Sequence, residues 1–130
     1  LRRVAVQSVT SGALTAISWD TEDEDTHGFI TVTGSSIVIP ANCDGLYDIT
    51  FAGFPAGTSG RNFIELAIVA AATGIPAHMK TQVDLTEDNG IATVCNVPLV
   101  GGDTVAGQYF QASGSSVNIT GWITCYRKGV

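Results

Sequence analysis

The residue types that most often perform enzyme chemistry are scarce in this chain and lie far apart. Its two histidines, His27 and His78, stand in separate loop-like contexts, and neither a Gly-x-Ser-x-Gly elbow nor a His-Glu-x-x-His motif is present. A metal enzyme on a β scaffold, such as a cupin, needs a histidine cluster that two residues do not supply. No glycine-rich phosphate loop followed by lysine is present. We therefore expect no catalytic residue and no enzymatic activity.

Acidic side chains concentrate in one polar loop, which begins at Asp20 and ends at Asp25. Clustered carboxylates can bind calcium, but the Asp-x-Asp-x-Asp-Gly order of an EF-hand is absent. A charged loop of this kind is usually solvated. We predict that it holds no metal ion, and that the chain carries no cofactor.

The three cysteines, Cys43, Cys95 and Cys125, are odd in number, far apart and without Cys-x-x-Cys spacing. Such a set predicts neither a disulfide framework nor a zinc site. We expect three half-buried free thiols that pack as small hydrophobic groups. The alternative is a single bridge between two of them.

Composition limits the classes of protein to which this chain can belong. With 130 residues it is long enough for one domain with a proper core, and we assign residues 1–130 to a single domain. The net charge of −6 argues against partners that are nucleic acids or anionic membranes, and no apolar run approaches the length of a membrane helix, about 20 residues. Charged residues are only 14% of the chain, against about 25% in typical soluble domains. This deficit indicates a surface that is partly covered by neighbours or built of tight turns.

Alternating apolar and polar residues, separated by turn residues, predict an all-β sandwich. The predicted strands cover 1–10, 13–19, 29–33, 37–39, 46–54, 62–70, 79–85, 91–99, 105–111 and 117–126. Asn89-Gly90 tolerates positive φ at both turn positions and predicts a hairpin between its two flanking strands. Gly121, in the middle of the last strand, is expected to let another backbone approach closely.

The chain is organised around the stretch 35–54, where a short strand ends at Pro40 and a second begins near Leu46. In this second strand Tyr47, Ile49 and Phe51 point to one face, and Leu46, Ala52 and Phe54 point to the other. A strand that is apolar on both faces is usually covered on both faces. One cover is the core, and we expect the other to be a partner subunit.

Four motifs along these strands resemble one known superfamily. They are Trp19-Asp20; Ile37-Val38-Ile39-Pro40 with Gly45-Leu46-Tyr47; Leu99 with Gly102-Asp103-Thr104-Val105; and Ile119-Thr120-Gly121-Trp122-Ile123. Together they resemble the tumour necrosis factor and complement globular-head superfamily, although Ile119 stands where that family usually has an aromatic residue. The resemblance implies a jelly-roll β-sandwich of about 8–10 antiparallel strands that forms trimers.

The resemblance also implies which residues meet at the three-fold axis. By position relative to Gly121 and Asp103, Ile119 and Ala92 fall at axis-facing positions of the family. Alternation then puts Trp122 on the opposite side of the last strand, in the sandwich core. The predicted trimer interface consists of Ala92, Val117, Ile119 and Ile123. Asp103 is expected to cap a turn.

Small jelly rolls of this superfamily resemble phage decoration proteins and fibre heads, so we predict a homotrimeric virion structural protein of a tailed bacteriophage. Its expected partner is the major capsid protein or another virion protein, and its expected location is the capsid exterior rather than the tail tip. The sequence contains no shaft repeat, which favours decoration. The alternatives are a receptor-binding head of a tail fibre and a secreted trimeric ligand or adhesion domain.

Overall fold

The computed structural model describes residues 2–22, 34–57, 61–69, 79–84 and 90–129. These ranges contain β-strands and no helix, as alternation of apolar and polar residues predicts. The strands are β1 (Arg2–Val9), β2 (Thr15–Ala16), β3 (Ile37–Val38), β4 (Gly45–Pro55), β5 (Asn62–Val69), β6 (Met79–Asp84), β7 (Gly90–Leu99), β8 (Thr104–Gln111) and β9 (Val117–Gly129). The all-β class is confirmed. The strand predicted at 29–33 lies outside the described residues.

The strands form two antiparallel sheets that face each other. The first sheet has the order β1-β9-β4-β7, and the second has the order β2-β8-β5-β6, in which the short strand β3 also pairs with β8. Because β4 pairs with β9 over its whole length and with β7 from Gly45 to Gly53, it is central in the first sheet. The organising role predicted for 35–54 is therefore confirmed.

The turn between β3 and β4 follows from its residues. Pro40 ends β3, its carbonyl accepts the backbone N–H of Cys43 at 3.2 Å, and Asn42 adopts φ 67°, which asparagine tolerates better than most residues. In β4, the predicted inward set of Tyr47, Ile49 and Phe51 is fully buried. The outward set has Leu46 at 41% exposure, so the two predicted faces of this strand are confirmed.

The centre of the core is formed by two aromatic rings and a glycine. The Trp19 ring meets the Phe51 ring edge-on, with centroids 6.1 Å apart and an interplanar angle of 82°, a favourable arrangement for aromatic pairs. Gly107 of β8 faces Phe51 so closely that a Cβ would lie 2.7 Å from the ring. Glycine is therefore required where the second sheet passes over this ring.

A second close approach involves Gly121 in β9, which pairs with Gly53 in β4, which in turn pairs with Gly90 in β7. A Cβ on Gly121 would lie 2.5 Å from the carbonyl oxygen of Ala52, and one on Gly53 would lie 2.7 Å from Ile64 Cγ2. The expectation that Gly121 allows close backbone approach is confirmed. At Gly53 the Ile64 side chain of the second sheet occupies the space that a side chain would need, and at Gly121 the Ala52 carbonyl does so.

The hairpin predicted at Asn89-Gly90 is wrong in its pairing. The strand before it, β6, pairs with β5 in the second sheet, whereas the strand after it, β7, pairs with β4 in the first sheet. The segment between them therefore connects the two sheets. Residues 85–89 themselves lie outside the described residues.

Gln111, at the end of β8, is a buried polar residue that connects three segments. Its side-chain Nε2 donates to the carbonyls of Val9 (3.0 Å) and Ser115 (2.7 Å), and its Oε1 accepts from the backbone N–H (2.8 Å) and hydroxyl (2.7 Å) of Ser113. Its own carbonyl accepts the N–H of Gly12 at 2.7 Å. The side-chain hydrogen bonds use both N–H donors of the amide. The Gln111 side chain therefore links the end of β1 to the turn between β8 and β9.

We therefore expect Gln111→Ala to lower the free energy of unfolding by roughly 2–4 kcal/mol, because it removes four hydrogen bonds and leaves buried backbone groups unpaired. Urea denaturation followed by tryptophan fluorescence measures the change. Gln108→Ala is the matched control, since Gln108 is half-buried on the outer side of the same strand. An equal loss of stability in both variants would contradict this role for Gln111.

Candidate functional site

The acidic loop and the histidines are the candidate sites for a metal ion or for catalysis that the sequence offers. Asp20 accepts the backbone N–H of Ala5 at 2.9 Å and the hydroxyl of Thr21 at 3.1 Å, so its carboxylate serves the local fold. Within the described ranges, no group of three or more His, Cys, Asp or Glu side chains can hold a metal ion. Residues 23–25, His27 and His78 lie outside those ranges.

Asp103 acts as predicted, in a turn. It is fully buried, and its Oδ2 accepts the backbone N–H of Val100 at 2.9 Å. Its backbone carbonyl accepts the N–H of Ile39 at 2.8 Å. The side chain therefore caps the turn between β7 and β8, and the backbone carbonyl of the same residue links this turn to the end of β3.

The three cysteines are free thiols, with Cys43 and Cys125 half-buried and Cys95 exposed. Cys125 packs against the core, and burial raises the pKa of its thiol to about 12. Burial also raises the pKa of the neighbouring Tyr47 phenol to about 12, although the nearby Arg127 guanidinium acts in the opposite direction. The Tyr47 hydroxyl donates to the carbonyl of Cys43. These raised pKa values describe groups held neutral inside the fold rather than an activated nucleophile.

The raised pKa values predict alkaline sensitivity. Each group loses a proton to become an anion, and the unfolded chain does so first, near pH 9 for a thiol and pH 10 for a phenol. The stability that these groups contribute is therefore complete below about pH 9 and is lost as pH rises toward 12. For Cys125 the loss is up to about 1.4 kcal/mol for each pH unit in this window.

Cys125→Ala should accordingly remove most of the loss of stability between pH 9 and 10, measured by urea denaturation at each pH. Cys95→Ala is the matched control, because the Cys95 side chain is exposed. A Cys125→Ala variant with the same pH dependence as the wild type would contradict the assignment.

The structure places the predicted trimer-interface residues in the core of the single subunit, which corrects that assignment. Ala92, Val117, Ile119 and Ile123 are between 0% and 6% exposed and belong to the same hydrophobic cluster as Phe51 and Ile64. The alternation predicted for β9 is right, since Ile119 and Trp122 do point to opposite faces. The assignment of the faces is reversed.

The physical reason for this reversal lies in the glycine row. A Cβ on Gly53 would lie 2.7 Å from Ile64 Cγ2 of the second sheet, and a Cβ on Gly121 would lie 2.5 Å from the Ala52 carbonyl oxygen, so the inward side of this row has no room for an indole. The inward positions of β9 from Val117 to Ile123 hold only valine, isoleucine and glycine, and Trp122 lies on the outer side, half-buried. A large aromatic side chain is not by itself a core residue.

The outer face of the first sheet is the candidate functional site, and it carries several large apolar side chains. Ile91 is 56% exposed and Tyr126 is 68% exposed. In the row of paired residues Ile91–Ala52–Trp122, the small Ala52 at the centre is fully buried between its larger neighbours. Leu46 and Phe54 extend the apolar surface toward the two ends of β4. An exposed apolar surface of this kind is a candidate interaction site.

Asp48 and Lys128 form a pair of opposite charge on this face. Lys128 Nζ lies 3.4 Å from Asp48 Oδ2 and donates to Asn96 Oδ1 at 3.0 Å. The backbone N–H of Asn96 donates to Asp48 Oδ1 at 2.9 Å, and this bond, together with Lys128, holds the pKa of Asp48 below its ordinary value. The Asp48 carboxylate therefore stays ionised at neutral pH and offsets the charge of Lys128.

The β7 edge of the first sheet is poorly suited to pairing with a further strand. In β7 the register shifts opposite Tyr47–Ile49, where Asn96 has φ 56°, and Pro98 has no N–H to donate. Bulges and prolines are devices that stop a further strand from pairing with an edge.

The comparisons with known proteins concern the fold. No protein-family model and no curated protein sequence matches the chain. Among solved structures, the chain is similar to TmCBM61 in complex with beta-1,4-galactotriose, with a TM-score of 0.52 and 14% identity over 72% of this chain. It spans 59% of the length of that carbohydrate-binding module. The globular domain of zebrafish complement 1qA gives a TM-score of 0.42 and 14% identity, covering 93% of this chain and 97% of that one.

The similarity to the carbohydrate-binding module concerns the fold alone, since the two chains are 14% identical. The two antiparallel sheets described above form a jelly-roll β-sandwich, so the predicted fold is confirmed. In the part of the chain that the structure describes, no helix is long and apolar enough to cross a membrane.

Proposed function

We propose that this chain is a homotrimeric structural protein without enzymatic activity, and more specifically a decoration protein on the capsid exterior of a tailed bacteriophage. The observation that carries the proposal is the apolar outer face of the first sheet, with Ile91 and Tyr126 more than half exposed. A lone subunit gains nothing from exposing such a face. Burial against other copies of the chain removes it from water, which favours association.

The distribution of charge favours other copies of the chain as the partner that covers this face. Each copy carries a net charge of −6, so association is opposed by repulsion wherever like charges meet. Asp48 and Lys128 offset each other on the outer face, so this pair adds nothing to that repulsion. The same feature makes the face a poor match for a strongly basic or strongly acidic partner.

The assignment to a virion rests on the jelly-roll fold, the low fraction of charged residues and the motifs that resemble trimeric domains. The partner is the major capsid protein or another virion protein, and neither a nucleic acid nor a membrane is proposed. Two alternatives remain within the same trimeric class: the receptor-binding head of a tail fibre, and a secreted trimeric ligand or adhesion domain.

Two measurements test the proposal. Light scattering coupled to size exclusion at micromolar concentration should give the mass of three chains, and the mass of one chain would overturn the homotrimer. A mass-spectrometric census of purified particles then decides the location. Many copies for each head support decoration, a few copies for each tail support receptor binding, and absence from particles favours the secreted alternative.

A further inference from the structure

A row of hydroxyl groups crosses the apolar outer face. Thr50 of β4 pairs with Thr93 of β7 on one side and with Thr124 of β9 on the other. Neighbouring strands lie about 4.8 Å apart, so the three side chains form one row at right angles to the strands. Thr93 and Thr124 are exposed, and Thr50 is half-buried. Large apolar side chains lie on both sides of this row, Ile91 and Trp122 on one and Tyr126 on the other.

The row has more hydrogen-bonding capacity than the subunit uses. Thr50 Oγ1 and Thr93 Oγ1 are 3.1 Å apart and share one hydrogen bond. Two hydroxyls have two donors and about four acceptor lone pairs, so this bond leaves one donor and most of the lone pairs available. Thr124 adds another hydroxyl beside them. In a free subunit, water satisfies these groups, but in a buried interface the facing copy must do so.

We propose that Thr50, Thr93 and Thr124 are the specificity-determining residues of this surface and select one packing of the copies of the chain. The inference rests on the proposed homotrimer. Valine has nearly the shape of threonine, so packing alone does not require the hydroxyls. An arrangement that sets the row against an apolar row of the next copy leaves buried hydroxyls unpaired. Each unpaired hydroxyl disfavours that arrangement by roughly 5- to 150-fold.

The hydroxyl row thus acts by disfavouring every packing arrangement of the copies that leaves its hydroxyls unpaired. An apolar face without it would bury itself in several registers of similar stability, because apolar contacts have no direction. One buried polar feature that only the correct arrangement satisfies is a known way to specify a single assembly, at some cost in stability. The hydrogen bond between Thr50 and Thr93 already fixes the positions of two hydroxyls, so a facing copy meets them in a defined geometry.

The test replaces all three threonines by valine and compares oligomeric states by native mass spectrometry and sedimentation velocity. Wild type should give one trimeric species. The triple variant Thr50→Val/Thr93→Val/Thr124→Val should assemble at the same or a lower concentration but distribute among several oligomeric states. Thr124→Val alone, which keeps the Thr50–Thr93 bond, should show a smaller loss of uniformity. Thr104→Val on β8 of the second sheet is the matched control and should remain trimeric.

Three results would overturn the inference. A triple variant that forms only trimers, with wild-type affinity, means that the hydroxyls do not select the packing. A triple variant that stays monomeric means that they supply affinity instead. A monomeric wild type removes the proposed homotrimer, and this inference with it. That last failure is recognised before any substitution is made, so it is distinguishable from the other two.

Discussion

Ile119→Asp is expected to unfold the subunit. Ile119 is 1% exposed in the core between the sheets, and its Cδ1 packs against Gly53 of the neighbouring strand. A carboxylate at this position has no partner and loses its hydration, which costs several kcal/mol. Domains of this size have a total stability of only about 5–15 kcal/mol. Far-UV circular dichroism and urea denaturation should therefore show loss of the cooperative transition or a strongly destabilised fold.

Ile119→Val is the conservative control for this position. It removes one buried methylene group and should cost about 0.5–1.5 kcal/mol while the fold persists. If Ile119→Asp instead gave stable, folded monomers, Ile119 would lie on an assembly surface, and the orientation of β9 described above would be wrong.

The faces of β9 illustrate what the sequence can and cannot determine. Alternation divides its side chains into two sets correctly, because the side-chain period of a strand is two. Which set points inward depends on the opposite sheet. Here the determining contact is between Gly53 and Ile64, residues of two different sheets. Nothing in the local sequence of β9 contains this information, and the bulk of Trp122 is misleading.

The connection between β6 and β7 shows the same limit for topology. Asn89-Gly90 is a good local signal for a tight turn, but hairpin formation requires that both flanking strands belong to one sheet. The structure assigns β6 to the second sheet and β7 to the first. Sheet membership follows from long-range pairing with β5 and β4, which local turn propensity cannot determine.

The candidate site itself was partly predictable. Apolar residues on both faces of β4 predict a second cover beyond the core, and the structure places Leu46 and Phe54 on the outer face as expected. The sequence does not show that Ile91, Trp122 and Tyr126 belong to the same surface, because alternation alone does not decide which face of β7 and β9 points outward. Once the outward residues of β4 are known, its pairing with β7 and β9 determines which residues of those strands share the outer face. The sequence alone does not give the register of this pairing, and the structure does.

Trp122→Asp is expected to dissociate the proposed homotrimer while the subunit stays folded. Trp122 is half-buried on the outer face, beside Ala52 and in the same row as Ile91. In an interface the substitution removes a large aromatic contact and adds a carboxylate that must be desolvated without a partner. The expected result is association weaker by roughly 100-fold or more, measured by sedimentation over a range of concentrations. Tyr126→Asp should have the same effect with less influence on the subunit, since Tyr126 is 68% exposed.

Val38→Asp is the matched control for charge on an exposed apolar position of the other sheet. Val38 is 49% exposed in β3 and pairs with Thr104 of β8 in the second sheet. It should leave both assembly and stability close to wild type. Because the three aspartate variants add the same charge, a difference between them reports the face that is buried by assembly. Intact trimers in both Trp122→Asp and Tyr126→Asp would exclude the outer face of the first sheet as the assembly surface, and dissociation by Val38→Asp alone would assign assembly to the second sheet.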